Sequence, residues 1–340
     1  MDTDVLRATA GQLVAPGKGI LAADESTGTI KKRFDSIGVE STEDNRRSYR
    51  DMLFTTPGLG EHISGVILFD ETIRQSATDG PPFPELLASL GIVPGIKVDT
   101  GAKPLALFPD ETVTEGLDGL RERLAEYREL GARFAKWRAT IFIGDAIPTD
   151  FAILANAHAM ARYAALCQEA GIVPIVEPEI LMDGDHPIEA CEAATATTLS
   201  RLYGQLADHR VDLGGSLLKV NMVLTGADAA TRAGPVEVAE ATLRVLRANV
   251  PTDVAGVVFL SGGQSDLDAT VHLNEMNRSG PHPWPLSFSY GRALQAPSLK
   301  AWCGDPTKKE AGQRALAHRA RMNGLAQMGD YSEEAEFSAA

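Results

Sequence analysis

Short runs rich in Val and Ile alternate along the chain with longer stretches in which apolar residues return every three or four positions. That alternation is the pattern of parallel strands joined by crossover helices. Eight runs read as strands, at 19–23, 65–69, 93–97, 133–137, 173–177, 216–219, 256–260 and 286–289, the third interrupted by Pro94. Helical patterning fills segments such as 149–171 and 237–249. Eight strand-and-helix units without a Gly-rich dinucleotide fingerprint predict an α/β fold closed into a single (β/α)8 TIM barrel rather than an open sheet. The barrel is expected to occupy 1–328. A mobile tail is expected at 329–340, because 333–340 is polar, small and short of apolar anchors.

Polar residues with chemical capacity recur at the C-terminal ends of these runs: Asp24, Lys97, Lys136, Arg138, Glu177, Glu179, Lys219, Ser261 and Arg292. In a barrel those ends converge on one mouth, where catalytic sites of this fold are built. Lys219 closes the apolar run Ser216-Leu217-Leu218, so its stem is held among hydrophobic neighbours. Desolvation and nearby cations both favour a neutral amine, which attacks a ketone to give an iminium, the electron sink that carbon–carbon cleavage requires. The plainer reading is a strand-end lysine reaching for water.

Period-two alternation puts Lys136 and Arg138 on one side of the fourth strand, and Glu177 and Glu179 on one side of the fifth. Two carboxylates facing a lysine-rich pocket can divide acid and base work between them. Asp24, in the string Asp24-Glu25-Ser26-Thr27, faces Lys136 and Lys219 across the mouth; their charge keeps it ionised and able to take a proton from a substrate hydroxyl. Such a string also reads simply as a helix cap.

Two anion sites follow from the loops. Leu260-Ser261-Gly262-Gly263-Gln264-Ser265 leads from the seventh strand into a helical stretch, and Ser289-Tyr290-Gly291-Arg292 closes the eighth with a guanidinium. Loops after strands seven and eight are where barrels often hold phosphate. Leu-Ser-Gly-Gly-Gln also occurs in ATP-binding cassettes, but those need a P-loop, and around Gly17-Lys18 its first Gly is Gln12 and its Ser/Thr is Gly19.

Charge narrows the partners. Forty-six acidic residues against 32 basic give a net charge of −14, which repels nucleic acid and anionic membrane, so an anionic substrate needs a concentrated cationic pocket. The start lacks a basic, apolar leader and no apolar run approaches the roughly 20 residues that span a bilayer, which predicts a soluble, cytoplasmic protein. Three scattered Cys and seven scattered His predict neither disulfides nor a catalytic zinc, and no metal or other cofactor is expected.

The strings Ala15 to Ser26, Gly95-Ile96-Lys97-Val98-Asp99, Phe134-Ala135-Lys136-Trp137-Arg138, Ile172 to Leu181, Leu217-Leu218-Lys219, Leu260 to Ser265 and Phe288 to Leu294 are, in this order, similar to class I fructose-bisphosphate aldolases. The resemblance covers nearly the whole chain. It implies reversible cleavage of fructose 1,6-bisphosphate to dihydroxyacetone phosphate and glyceraldehyde 3-phosphate through a lysine Schiff base, in a homotetramer. It further implies that Lys219 forms the Schiff base, that Glu177 dehydrates the carbinolamine with Glu179 tuning it, and that Asp24 and Lys136 handle the C4 hydroxyl proton with Arg138 nearby. The ketone-side phosphate would sit on Ser261, Gly262, Gly291 and Arg292, beside Ser289, and the far phosphate near Ser26, Thr29, Arg33 and Lys97. Two departures stand out: Val220 follows the lysine where the family usually has Pro, and the chain lacks the terminal Tyr that animal members use for proton exchange. A phosphate-binding isomerase or epimerase barrel could use Glu177 and Lys136 without a covalent step, and imine trapping separates the two.

Overall fold

The structure, a computed structural model, describes residues 2–338; residues 339 and 340, the end of the expected tail, lie outside the described residues, as does residue 1. Its strands are β1 (Gly19–Ala22), β2 (Ile63–Leu68), β3 (Val93–Lys97), β4 (Gly101–Pro104), β5 (Thr112–Glu115), β6 (Phe134–Ile141), β7 (Val173–Ile180), β8 (Leu217–Val220), β9 (Val257–Phe259) and β10 (Leu286–Tyr290). Eight of them close a barrel in the order β1-β10-β9-β8-β7-β6-β3-β2, all pairs parallel. These are the eight runs that the sequence predicts. Pro94 is tolerated because β3 pairs with β6 only from Gly95 and Phe134 onward, while the Pro94 carbonyl still accepts from the Arg133 N–H at 2.9 Å.

Alternation along the strands sorts chemistry by height. Inward-facing Phe134, Val173, Ile175, Leu217 and Val258 form an apolar plug with Ile20, Ile67 and Val93. The helix Thr3–Leu13 adds Leu6, Ala10 and Leu13 beneath it. The Phe134 ring fits only because β3 carries glycine: a Cβ on Gly95 would lie 2.3 Å from the ring. Further along the same rows come Lys136 and Arg138, Glu177 and Glu179, and Lys219, so the interior turns from oil to charge towards the strand ends. The opposite strand faces pack on the surrounding helices in the larger core, where Trp137 and Tyr163 lie 5.5 Å apart.

Two features were not legible beforehand. An antiparallel hairpin, β4–β5, leaves the end of β3 and is fixed to β6 by Thr112 and Thr114, whose hydroxyls donate to the carbonyls of Thr140 (2.9 Å) and Arg138 (2.8 Å). Beyond Gly329, which ends the helix Lys309–Met328 in the left-handed region, the described part of the tail forms a short helix, Glu333–Phe337. It has no large apolar anchor, yet Glu336 is buried and receives Arg319 at 2.6 Å and His318 at 2.8 Å.

Candidate active site

The C-terminal ends of the barrel strands enclose a cavity of about 390 Å³. All fifteen site residues expected from the sequence line it, from Asp24 on the first loop to Arg292 after the eighth strand. At its floor four charged side chains alternate in sign. Lys219 Nζ lies 3.1 Å from Glu177 Oε1, Glu177 Oε2 lies 3.3 Å from Lys136 Nζ, and Lys136 Nζ lies 2.7 Å from Asp24 Oδ2. The Lys219 side chain is only 5% exposed, so the surrounding strands sheathe its stem and leave the amine facing the cavity.

This alternation fixes protonation states. Burial would raise Asp24, but the charges of Lys136 and Lys219 win and hold it well below the usual carboxylate range. Burial also pushes Glu177 up, and Lys136, Lys219 and Arg138 together bring it below its ordinary value. Lys136 is displaced upward, burial being outweighed by Asp24, Glu177 and Asp99, and stays an ammonium. Glu177 Oε2 is buried and, although near Lys136, has no aligned hydrogen-bond donor among the described residues, which leaves it a lone pair for a reacting group. Glu179, by contrast, is taken up by Arg138.

The rim carries the anion-binding groups. Ser289 Oγ is buried without a partner among the described residues, and Ser261 and Gly262 line the same edge. A Cβ on Gly262 would meet Glu179 Oε1 at 2.8 Å and Leu260 at 2.9 Å, so the loop approaches the mouth as closely as it does only with bare backbone there. Gly291 caps the helix Arg292–Trp302. Across the cavity Ser26 caps the helix Thr27–Asp35, its hydroxyl 3.1 Å from that of Thr29.

Cations are concentrated here as expected, but they are not unopposed. The lining holds Arg33, Lys97, Lys136, Arg138, Lys219 and Arg292 against Asp24, Glu25, Asp99, Glu177 and Glu179. Five of the six cations have a carboxylate in contact; among the described residues Arg292 has none. Two of these carboxylates escaped sequence reasoning as site residues. Asp99 holds Lys97 at 3.0 Å and also accepts from the backbone N–H groups of Gly101 (3.1 Å) and Arg138 (3.2 Å). Its position two residues after Lys97, on the same side by alternation, was the available signal. Glu25 bridges Arg33 (2.5 Å) and Arg50 (2.6 Å) and accepts from Gln295 at 2.9 Å. Burial raises Glu25, and the two guanidiniums more than reverse it. Nothing local in the sequence marks Arg50 or Gln295.

The family model for class I fructose-bisphosphate aldolase matches residues 5–340. The chain belongs to the class I fructose-bisphosphate aldolase family. This aldolase is 57% identical to a probable class 1 fructose-bisphosphate aldolase of Xanthomonas campestris, over 97% of its own length and 99% of that relative's. It is 52% identical to cytosolic fructose-bisphosphate aldolase 4 of Arabidopsis thaliana, over 98% and 85%. Its structure superposes on the fructose-bisphosphate aldolase of Plasmodium falciparum, solved in complex with TRAP and a small-molecule inhibitor, with a TM-score of 0.96 at 51% identity, covering 97% of this chain and 96% of that one. The enzyme is a lyase of the (β/α)8 class. Among its described residues no helix is long and apolar enough to cross a membrane, and no three His, Cys, Asp or Glu gather as a metal site.

Proposed function

We propose that the aldolase reaction runs through a Schiff base on Lys219, and the observation that carries this reading is the 3.1 Å contact between its buried amine and Glu177. Glu177 takes a proton from Lys219 Nζ, the freed amine attacks the C2 ketone of fructose 1,6-bisphosphate, and Glu177 returns that proton to the carbinolamine oxygen, which leaves as water. The resulting iminium draws the C3–C4 electron pair as Asp24 takes the C4 hydroxyl proton. Lys136, held as an ammonium between Asp24 and Glu177, offsets charge growing on that oxygen. Glyceraldehyde 3-phosphate leaves, the enamine is protonated at C3, and hydrolysis frees dihydroxyacetone phosphate and Lys219. Glu179, engaged by Arg138, tunes its neighbour and leaves Glu177 as the working acid and base.

The ketone-side phosphate is assigned to Ser261, Gly262, Ser289, Gly291 and Arg292, where, among the described residues, a buried hydroxyl lacks a partner and a guanidinium lacks a carboxylate. The far phosphate is assigned to Ser26, Thr29, Arg33 and Lys97. The enzyme works without a metal, in the cytoplasm, as a homotetramer; the cytosolic Arabidopsis relative supports the compartment. Borohydride added with dihydroxyacetone phosphate tests the central step. It should inactivate the enzyme and label Lys219, and Lys219→Arg should abolish the labelling; reduction onto Lys97 or Lys136 with Lys219 untouched would overturn the assignment.

A further inference from the structure

Away from the mouth, two imidazoles meet on the outer helical layer. His158 lies on the helix Asp150–Glu169 and is exposed, while His209, half-buried, caps the C-terminus of the helix Ile188–Asp208. Their tautomers are fixed by one residue. His209 Nδ1 lies 2.8 Å from the backbone carbonyl of Gln205, which can only accept, so that nitrogen carries the proton. Gln205 Nε2 donates to Asp208 at 3.3 Å, which fixes the amide orientation and leaves Oε1 to accept from His158 Nδ1 at 3.0 Å. Both rings therefore turn their protonated edge towards Gln205 and keep an unprotonated Nε2 on the side away from it.

From this geometry we infer that His158 and His209 form a two-histidine site for a borderline divalent transition ion such as zinc. Metal-bound histidines characteristically donate the other ring N–H to a carbonyl, which is the state of both rings here. With Zn–N bonds of about 2.0–2.1 Å and a tetrahedral angle, two imidazole centroids on one zinc stand about 5 Å apart. These centroids stand 5.1 Å apart, with the rings inclined at 68°. No third side chain joins them among the described residues, so water completes the coordination. Bound there, the ion would tie together the helices that follow β6 and β7, a structural brace outside the catalytic mouth.

Zinc titration of untagged, EDTA-stripped enzyme by calorimetry, paired with thermal unfolding, tests the site. One equivalent per chain should bind and raise the unfolding temperature, since a ligand of the folded state stabilises it. His158→Ala and His209→Ala should each remove that equivalent. Gln205→Leu should weaken it by about 10- to 100-fold, because only the carbonyl behind His158 is lost. Absence of saturable binding, or one equivalent kept by the His158→Ala/His209→Ala double variant, would overturn the proposal.

Discussion

At the scale of single residues, the floor of the mouth works because each charge is held by its opposite. Glu177→Gln keeps the shape beside Lys219 but removes the proton donor, so kcat should fall by about 10²- to 10⁴-fold. Borohydride trapping, slower but still on Lys219, would distinguish this from a lost nucleophile; an unchanged kcat would remove Glu177 from the chemistry. Asp24 carries a pH signature. Its folded pKa is depressed, so its stabilising contribution is complete above the ordinary Asp value of about 3.9, shrinks as pH falls below that, and is lost only through its own lower pKa. Asp24→Asn should therefore be less stable in urea at pH 7 by about 2 kcal/mol, the worth of one charged hydrogen bond. That gap should hold down to about pH 5 and narrow below pH 4. A gap that widens on acidification would contradict the ion pair with Lys136.

At the scale of elements, each loop or strand end contributes one part of the site, and that determines what can be read in advance. Arg292 begins the helix after β10 and is the one lining cation with no carboxylate in contact among the described residues. Arg292→Ala should weaken fructose 1,6-bisphosphate and fructose 1-phosphate alike, by about 1.5–3 kcal/mol in kcat/KM. Equal kinetics for both substrates in the variant and the parent would exclude it from the ketone-side subsite. The barrel strands were legible because each is a short run built on apolar residues, several of them rich in Val and Ile and most followed by or ending in a reactive residue, and period two then brought Lys136 with Arg138 and Glu177 with Glu179. The β4–β5 hairpin was not, since its strands are four residues each, without a run of large apolar residues, and joined through Leu107 and Asp110 in the left-handed region. Glu25, Arg50 and Gln295 were invisible for a different reason. Their partnership joins three segments distant in sequence, and each alone looks like an ordinary helix or loop residue.

At the scale of the whole molecule, the tail and the mouth invite separate tests. Deleting residues 332–340 removes Glu336 from Arg319 and His318, but the deleted stretch contains no Tyr. The truncated enzyme should keep kcat for fructose 1,6-bisphosphate within about tenfold, a barrier change under roughly 1.4 kcal/mol. A far larger loss with the Lys219 imine still trappable would give the tail a part in turnover. Activity should also survive EDTA, in the His158→Ala/His209→Ala variant as in the parent, because the iminium serves as electron sink; loss on chelation restored by zinc in that variant would point to a metal-dependent cleavage. The pairing of five of the six lining cations with carboxylates reaches beyond the site itself. Those carboxylates are counter-ions that the fold cannot release, so a bisphosphate exchanges partners inside the mouth and displaces few ions into solution. On a chain of net charge −14 the long-range field repels an anionic substrate, and salt that screens this repulsion offsets any weakening of local attraction. For so highly charged a substrate, KM should accordingly change little between dilute buffer and physiological ionic strength, with Arg292 the main source of whatever salt dependence is seen.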